Sequence, residues 1–131
     1  MTGRGYLLDT HAAIWWWTEN PRLGRQAAEM IGAGEAPVYV SAASVWEIAI
    51  KSQAGKLDEI DDFEGQYPEL MRSNGFIRLP VEDRHALRAG SLEGRHRDPF
   101  DRLIAAQGFL EKLTVVTRDK QVAGFGCEVL W

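Results

Sequence analysis

The apolar residues of this chain gather in five short runs. Tyr6-Leu7-Leu8 leads into Asp9, Val38-Tyr39-Val40 leads into Ser41, and Phe76-Ile77-Arg78-Leu79 ends at Pro80. Leu113 to Thr117 leads into Arg118-Asp119, and Cys127 to Trp131 forms the last run. Most are continuously apolar and rich in β-branched or aromatic side chains. That pattern marks strands covered on both faces, as in a parallel sheet.

Between these runs the apolar period becomes helical. Helices are predicted over 11–17 with Thr10 as cap, 23–31 ending at Gly32, and 42–53 capped by Ser41. Further ones are predicted over 61–73, interrupted by Pro68, over 81–89 ending at Gly90, and over 99–112. The last is the clearest, with Asp98 as N-cap, Pro99 at the first helical position and Asp101 at the third. Strands alternating with helices predict a three-layer α/β fold: a mainly parallel central sheet of about five strands with helices on both faces. The acidic stretch 55–65 reads as a solvated connection.

In open parallel sheets, ligands collect outside the carboxyl ends of the strands. Asp9 and Asp119 directly follow the first and fourth runs, so parallel strands would aim both at one edge. Glu47 lies in the second turn of the helix after the second run, on a polar stripe with Ser44 and Lys51. Asp101 lies in the first turn of the helix before the fourth run. Each acid also has an ordinary role open to it. Asp9 suits a helix cap, Glu47 an i,i+4 pair with Lys51, Asp101 a helix-terminal charge and Asp119 a turn. Their shared location is what argues for a pocket. Carboxylates crowded together raise one another's pKa unless a cation joins them. Oxygen donors alone select hard cations, here Mg²⁺ or Mn²⁺, and such a site suits phosphodiester hydrolysis.

Composition narrows the picture. The 131 residues fit one domain over 1–131, and 45% hydrophobic with 26% charged residues is ordinary for a globule. A single cysteine, Cys127, excludes an internal disulfide and a thiolate zinc site, which suits the cytoplasm. No secretory signal and no apolar stretch of about 20 residues is present, so a membrane role is not expected. The net charge of −4 argues against a broad basic coat for nucleic acid. Arg95, Arg97, Arg102, Arg118 and Lys120 nevertheless flank the acidic segments and suit a local phosphate-binding rim. His11, His85 and His96 lack metal-ligand spacing, and no phosphate-loop or dinucleotide motif occurs. Trp15, Trp16 and Trp17 would fan out by about 100° each on a helix, so they are not expected to face one core together. Either at least one lies at a dimer or antitoxin interface, or two are core and one is partly covered by neighbouring chain, with stacking on an RNA base a third option.

At its acidic segments the sequence resembles PIN domains of the VapC-type toxins of bacterial toxin–antitoxin pairs. The resemblance is carried by Tyr6-Leu7-Leu8-Asp9-Thr10-His11, by the segment from Val40 to Lys51, by Thr117-Arg118-Asp119 and by the closing Val129-Leu130-Trp131. Its most specific part is His96-Arg97-Asp98-Pro99-Phe100-Asp101-Arg102-Leu103-Ile104-Ala105-Ala106-Gln107. The resemblance implies a Mg²⁺-dependent endoribonuclease that leaves a 5′-phosphate, forms homodimers and is silenced by a cognate antitoxin in a larger assembly. It implies Asp9, Glu47, Asp101 and Asp119 as the acidic set, with Asp9, Asp101 and Asp119 holding metal. Glu47 would orient or deprotonate water, or ligate a second ion. Asp98 competes with Asp101 for the third place. The Leu103-Ile104-Ala105-Ala106 run favours Asp101, and Asp98 is better placed to cap. Thr10 and Thr117 are accessory candidates, and Arg97, Arg102 and Arg118 are candidate contacts to RNA phosphates. Two other readings stand beside this one. A catalytically silent PIN fold would bind RNA or protein without turnover. A phosphatase using Asp9 as nucleophile lacks the second aspartate, since position 11 is His. The identity of the RNA is not written in the sequence.

Overall fold

The computed structural model describes residues 5–94 and 98–131. Its strands are β1 (Tyr6–Leu8), β2 (Val38–Ser41), β3 (Ile77–Leu79), β4 (Thr114–Val116) and β5 (Val129–Leu130). They form one sheet in the order β3-β2-β1-β4-β5, with every pairing parallel. β1 is central, and Tyr6 is in register with Val38 on one side and Thr114 on the other. The chain builds outward from β1 to β3, then returns to add β4 and β5 on the other flank. The β1–β4 boundary is therefore where the strand order reverses, the position at which such sheets open a crevice at their carboxyl ends.

The helices are α1 (Thr10–Trp17), α2 (Arg25–Ala33), α3 (Ala42–Gln53), α4 (Phe63–Asn74), α5 (Asp83–Ser91), α6 (Pro99–Glu111) and α7 (Lys120–Ala123). They cover both faces of the sheet, which explains the continuously apolar strands. Leu8, Val40 and Val116 enter a core with Ala12, Trp15, Ala27, Ile48 and Met71 on one face. Leu7 and Val115 enter a second core with Ile104, Ala105, Val122 and Phe125 on the other. Adjacent strand residues thus serve opposite cores, as period-two alternation requires. Packing of α6 on β4 depends on Gly108, because a Cβ there would lie 2.4 Å from Cγ2 of Val115.

Five expectations change in detail, one being that α5, expected over 81–89 and ending at Gly90, runs through that glycine to Ser91. The N-cap of α1 is Asp9, and Thr10 is already helical. α2 runs through Gly32 and ends at Gly34, which takes the left-handed conformation at φ 66°. α4 is continuous through Pro68, because Phe63, Met71, Tyr67 and Leu70 pack along it onto the core. All three tryptophans of α1 meet the same core, Trp15 fully and Trp16 and Trp17 in part. Trp16 and Trp17 are half-buried, so the fan of side chains leaves part of each at the surface. The 54–62 connection is mostly exposed but pinned by buried Leu57 and Ile60. No described helix is long and apolar enough to cross a membrane.

Candidate active site

The geometry of Asp9 follows from the strand that precedes it. Its backbone remains extended, at φ −75° and ψ 175°, and its N–H donates to the carbonyl of Val116 at 3.0 Å. That bond anchors Asp9 to the β1–β4 boundary. Its Oδ1 accepts the Ala12 N–H at 2.8 Å and so caps α1. The side chain is buried, and burial pushes its carboxyl above the ordinary aspartate range. Hydrogen bonds from Thr117 and Ala12 and the charge of His11 oppose that shift, and the nearby Glu47 carboxylate adds to it.

Thr117 links the first acid to the fourth. Its hydroxyl donates to the Asp9 carboxylate, and the same oxygen accepts the Asp119 N–H at 3.0 Å. Asp119 is the N-cap of α7, accepting the Gln121 N–H at 2.9 Å on Oδ1. Thr10 links the same region to Glu47. The Thr10 hydroxyl, buried, donates to Glu47 Oε1 at 2.5 Å and lies 3.2 Å from the Ser44 hydroxyl. With the Thr10 proton directed at the carboxylate, the Ser44 hydroxyl donates to Thr10, giving a short relay that ends on Glu47. Glu47 Oε2 lies 3.7 Å from Lys51 Nζ. Its carboxylate is held from both sides.

Asp98 caps α6 through Oδ1, accepting N–H groups of Phe100 at 2.9 Å and Asp101 at 3.3 Å. Asp101 stands in the first turn of that helix, partly buried. The start of α6 is drawn toward α3 by an edge-on contact of Phe100 with Trp46, their ring centroids 5.1 Å apart. The neighbours of Asp101 and Glu47 thus touch. Capping does not exhaust an aspartate, since an ionised carboxylate offers about four lone-pair positions. The ordinary and the chemical roles of these acids therefore coexist.

Asp9 and Asp119 are joined through Thr117 and Glu47 acts on Asp9, but no three of the four acids bring their oxygens within 4.8 Å of one another. Among the described residues, the one trio of candidate ligands whose atoms lie within 4.8 Å of one another is Glu82, His85 and Glu111. That trio stands at the other end of α6, because Glu111 follows Asp101 by ten residues, about 15 Å of helix. Its hydrogen bonds are those of a structural clamp. His85 Nδ1 accepts the Glu82 N–H at 2.9 Å, which assigns the ring proton to Nε2, and Nε2 donates to Glu111 Oε2 at 2.8 Å. The nitrogen facing the carboxylate is thus a donor, and Arg84 pairs with both Glu82 and Glu111.

The arginines divide. Arg102 donates Nε to the Ala89 carbonyl at 3.1 Å, bonds the Leu92 carbonyl, and lies over the Phe125 ring. It ties the end of α5 to α6. Arg118 is exposed, its guanidinium carbon 4.8 Å from the Trp15 ring. Arg95, His96 and Arg97 lie outside the described residues. Sequence reasoning gave Ser44 only a place on a polar stripe, although its i,i+3 spacing to Glu47 was visible. Arg22, 5.9 Å from the same Trp15 ring, had no local signal at all.

The model of the PIN domain family matches residues 6–125. The chain belongs to the PIN domain family. Among solved structures, this PIN domain is similar to a chain of DNA-bound VapBC from Salmonella typhimurium, with TM-score 0.71 and 18% identity over 99% of this chain and 98% of that one. A chain of VapBC2 from Rickettsia felis, bound to a promoter DNA fragment, gives TM-score 0.67 and 17% identity over 96% and 97%. A chain of FitAcB from Neisseria gonorrhoeae gives TM-score 0.66 and 20% identity over 96% of each. At such identities the likeness establishes the fold. No curated protein sequence matches that of this PIN domain.

Proposed function

We propose that this PIN domain is a divalent-metal-dependent endoribonuclease, the VapC-type toxin of a toxin–antitoxin pair acting in the cytoplasm. The observation that carries the reading is the linked acidic edge: Asp9 and Asp119 joined through Thr117 at the strand-order reversal, with Glu47 near enough to act on Asp9. The donor set fits Mg²⁺ or Mn²⁺, being all oxygen. Burial already penalises ionised Asp9, and a cation offsets that penalty. Asp9, Asp101 and Asp119 are the residues that would hold the ion, with Asp98, which accepts two backbone N–H groups at the start of α6, the alternative to Asp101. When bound, the ion supplies an activated water and polarises a phosphoryl oxygen.

The chain's own residues do the rest. Glu47, fixed by Thr10 and Lys51, orients the attacking water and accepts its proton. Thr117 keeps Asp9 and Asp119 in register. Arg118, and Arg97 beyond the described residues, meet the phosphates of the strand. Arg102 serves that rim indirectly, by holding α5 and α6 together. In-line attack on phosphorus leaves a 5′-phosphate and a 3′-hydroxyl. One similar solved structure is a toxin–antitoxin complex from Klebsiella pneumoniae, and a groove of about 600 Å³ where Trp16, Trp17 and Leu70 lie beside Glu19, Asn20 and Asn74 offers a mixed apolar and polar bed for an antitoxin segment. A homodimer and a larger assembly with the antitoxin belong to the same reading.

The test is purified protein with single-stranded RNA, with Mg²⁺ or with EDTA. Cleavage that EDTA abolishes and that Asp9→Asn eliminates is the expected result. A second reading, a silent PIN fold that binds RNA or protein, is favoured by one observation. No three of the four acids bring their oxygens within 4.8 Å of one another. RNA binding without cleavage under any divalent ion would establish that reading.

A further inference from the structure

We propose that Arg22 and Arg118, seated on the indole of Trp15, form a subsite for an RNA phosphate next to the one that is cleaved. The proposal rests on the ribonuclease reading and adds residues and a geometry to it.

Trp15 is only 4% exposed and belongs to the core. Its ring makes an edge-on contact with Trp131, centroids 5.9 Å apart. An indole so enclosed cannot stack on a base, but it is a rigid seat. The guanidinium of Arg118 lies 4.8 Å from its centroid and that of Arg22 lies 5.9 Å from it. Both arginines are exposed. Among the described residues neither is ion-paired with a carboxylate.

Cation–π attraction holds a guanidinium beside the indole without using its N–H donors, whose fork matches a phosphate. Holding the group on a buried ring also lowers the conformational cost of binding. Arg22 is brought here by the start of α2. A Cβ on Gly24 would lie 2.6 Å from Cδ1 of Trp131, so the chain at Gly24 lies directly against that ring.

The seat adjoins the acidic edge. Arg118 immediately precedes Asp119, and Trp15 stands on the helix that Asp9 caps. His11 lies 5.3 Å from the same indole and acts electrostatically on Asp9. In a chain of net charge −4, a polyanion approaching carboxylates needs such a fixed local cation pair. One phosphate at the acids and its neighbour at the arginines would set the strand's direction across the edge.

The test measures binding of a fluorescein-labelled mixed-sequence RNA 12-mer in Ca²⁺ over a salt series. The proteins are wild type, Arg22→Ala, Arg118→Ala and Arg25→Ala. Arg25 is three residues from Arg22, and its exposed side chain faces Glu29. It removes the same charge without touching the indole. Each lost phosphate contact reduces the slope of log K against log salt by about 0.7 and weakens binding roughly fivefold at 0.1 M salt. Arg22→Ala and Arg118→Ala should both show this, and Arg25→Ala should not. Equal effects from all three, or none from Arg22→Ala and Arg118→Ala, overturn the subsite while leaving the nuclease reading intact. If wild type neither binds nor cuts RNA, the nuclease reading fails and the subsite fails with it.

Discussion

Asp9→Asn should stabilise the metal-free protein while ending its activity. Asparagine caps a helix about as well as aspartate, so Ala12 keeps its acceptor. Toward Thr117 the amide offers its oxygen as acceptor or its N–H as donor to the hydroxyl oxygen, so that contact keeps a partner. What disappears is a charge that burial disfavours, together with its repulsion from Glu47. Asp9→Ala provides the scale. It loses the cap, about 1 kcal/mol, and the acceptor of a buried hydroxyl, about another 1 kcal/mol. The asparagine variant should therefore melt roughly 7 °C above the alanine variant for a chain of this length.

The pH dependence follows from the same shift. The folded state raises the Asp9 pKa, so it holds that proton more tightly than the unfolded chain does. Below the ordinary aspartate range both states are protonated and no penalty exists. As pH rises from that range through the raised folded value, wild type loses stability and Asp9→Asn does not. Mg²⁺ should restore it, by about 2.7 kcal/mol at one hundred times its dissociation constant. The assay is thermal unfolding of the three proteins at several pH values, in EDTA and in Mg²⁺. An asparagine variant less stable than wild type in EDTA at neutral pH, or an equal Mg²⁺ shift in both, would refute the reasoning.

Other outcomes separate site from scaffold. Thr10→Val removes the hydroxyl that fixes Glu47 and should lower cleavage about 10–100-fold. Thr10→Ser should restore most of it, and equal loss in both variants would remove Thr10 from any positioning role. Glu111→Gln should cost about 1 kcal/mol of stability through the α5–α6 clamp and leave metal affinity, read by Mn²⁺ titration, unchanged. A loss of Mn²⁺ binding in that variant would move the metal to the other end of α6. Gly108→Ala should destabilise by about 2 kcal/mol because its Cβ meets Val115, and an unchanged melting temperature would contradict that packing.

The sheet was legible because its strands are covered on both faces. Leu7 and Leu8 serve opposite cores, and that leaves an unbroken apolar run in the sequence. The start of α6 was legible because Asp98, Pro99 and Asp101 carry their capping chemistry locally. α7 was not, since four residues show no periodicity. The cap of α1 was misplaced because Asp9 and Thr10 are both good caps. Glu47, 37 residues away, draws Thr10 aside. The break expected at Pro68 was outweighed by packing on the core, which no local propensity encodes. Thr10 and Thr117 were legible as accessory hydroxyls, and they do bond the Glu47 and Asp9 carboxylates, whereas the contact of Ser44 with Thr10 was not legible. Arg22 illustrates the limit, since its place beside Arg118 is set by an indole that neither neighbours in sequence.

Anomalous diffraction from Mn²⁺-soaked crystals tests the central claim most directly. The account predicts a peak among Asp9, Asp101 and Asp119, beside Glu47, that Asp9→Asn removes. A peak at Glu82, His85 and Glu111, or none at the carboxyl edge of the sheet under saturating Mn²⁺, would contradict it.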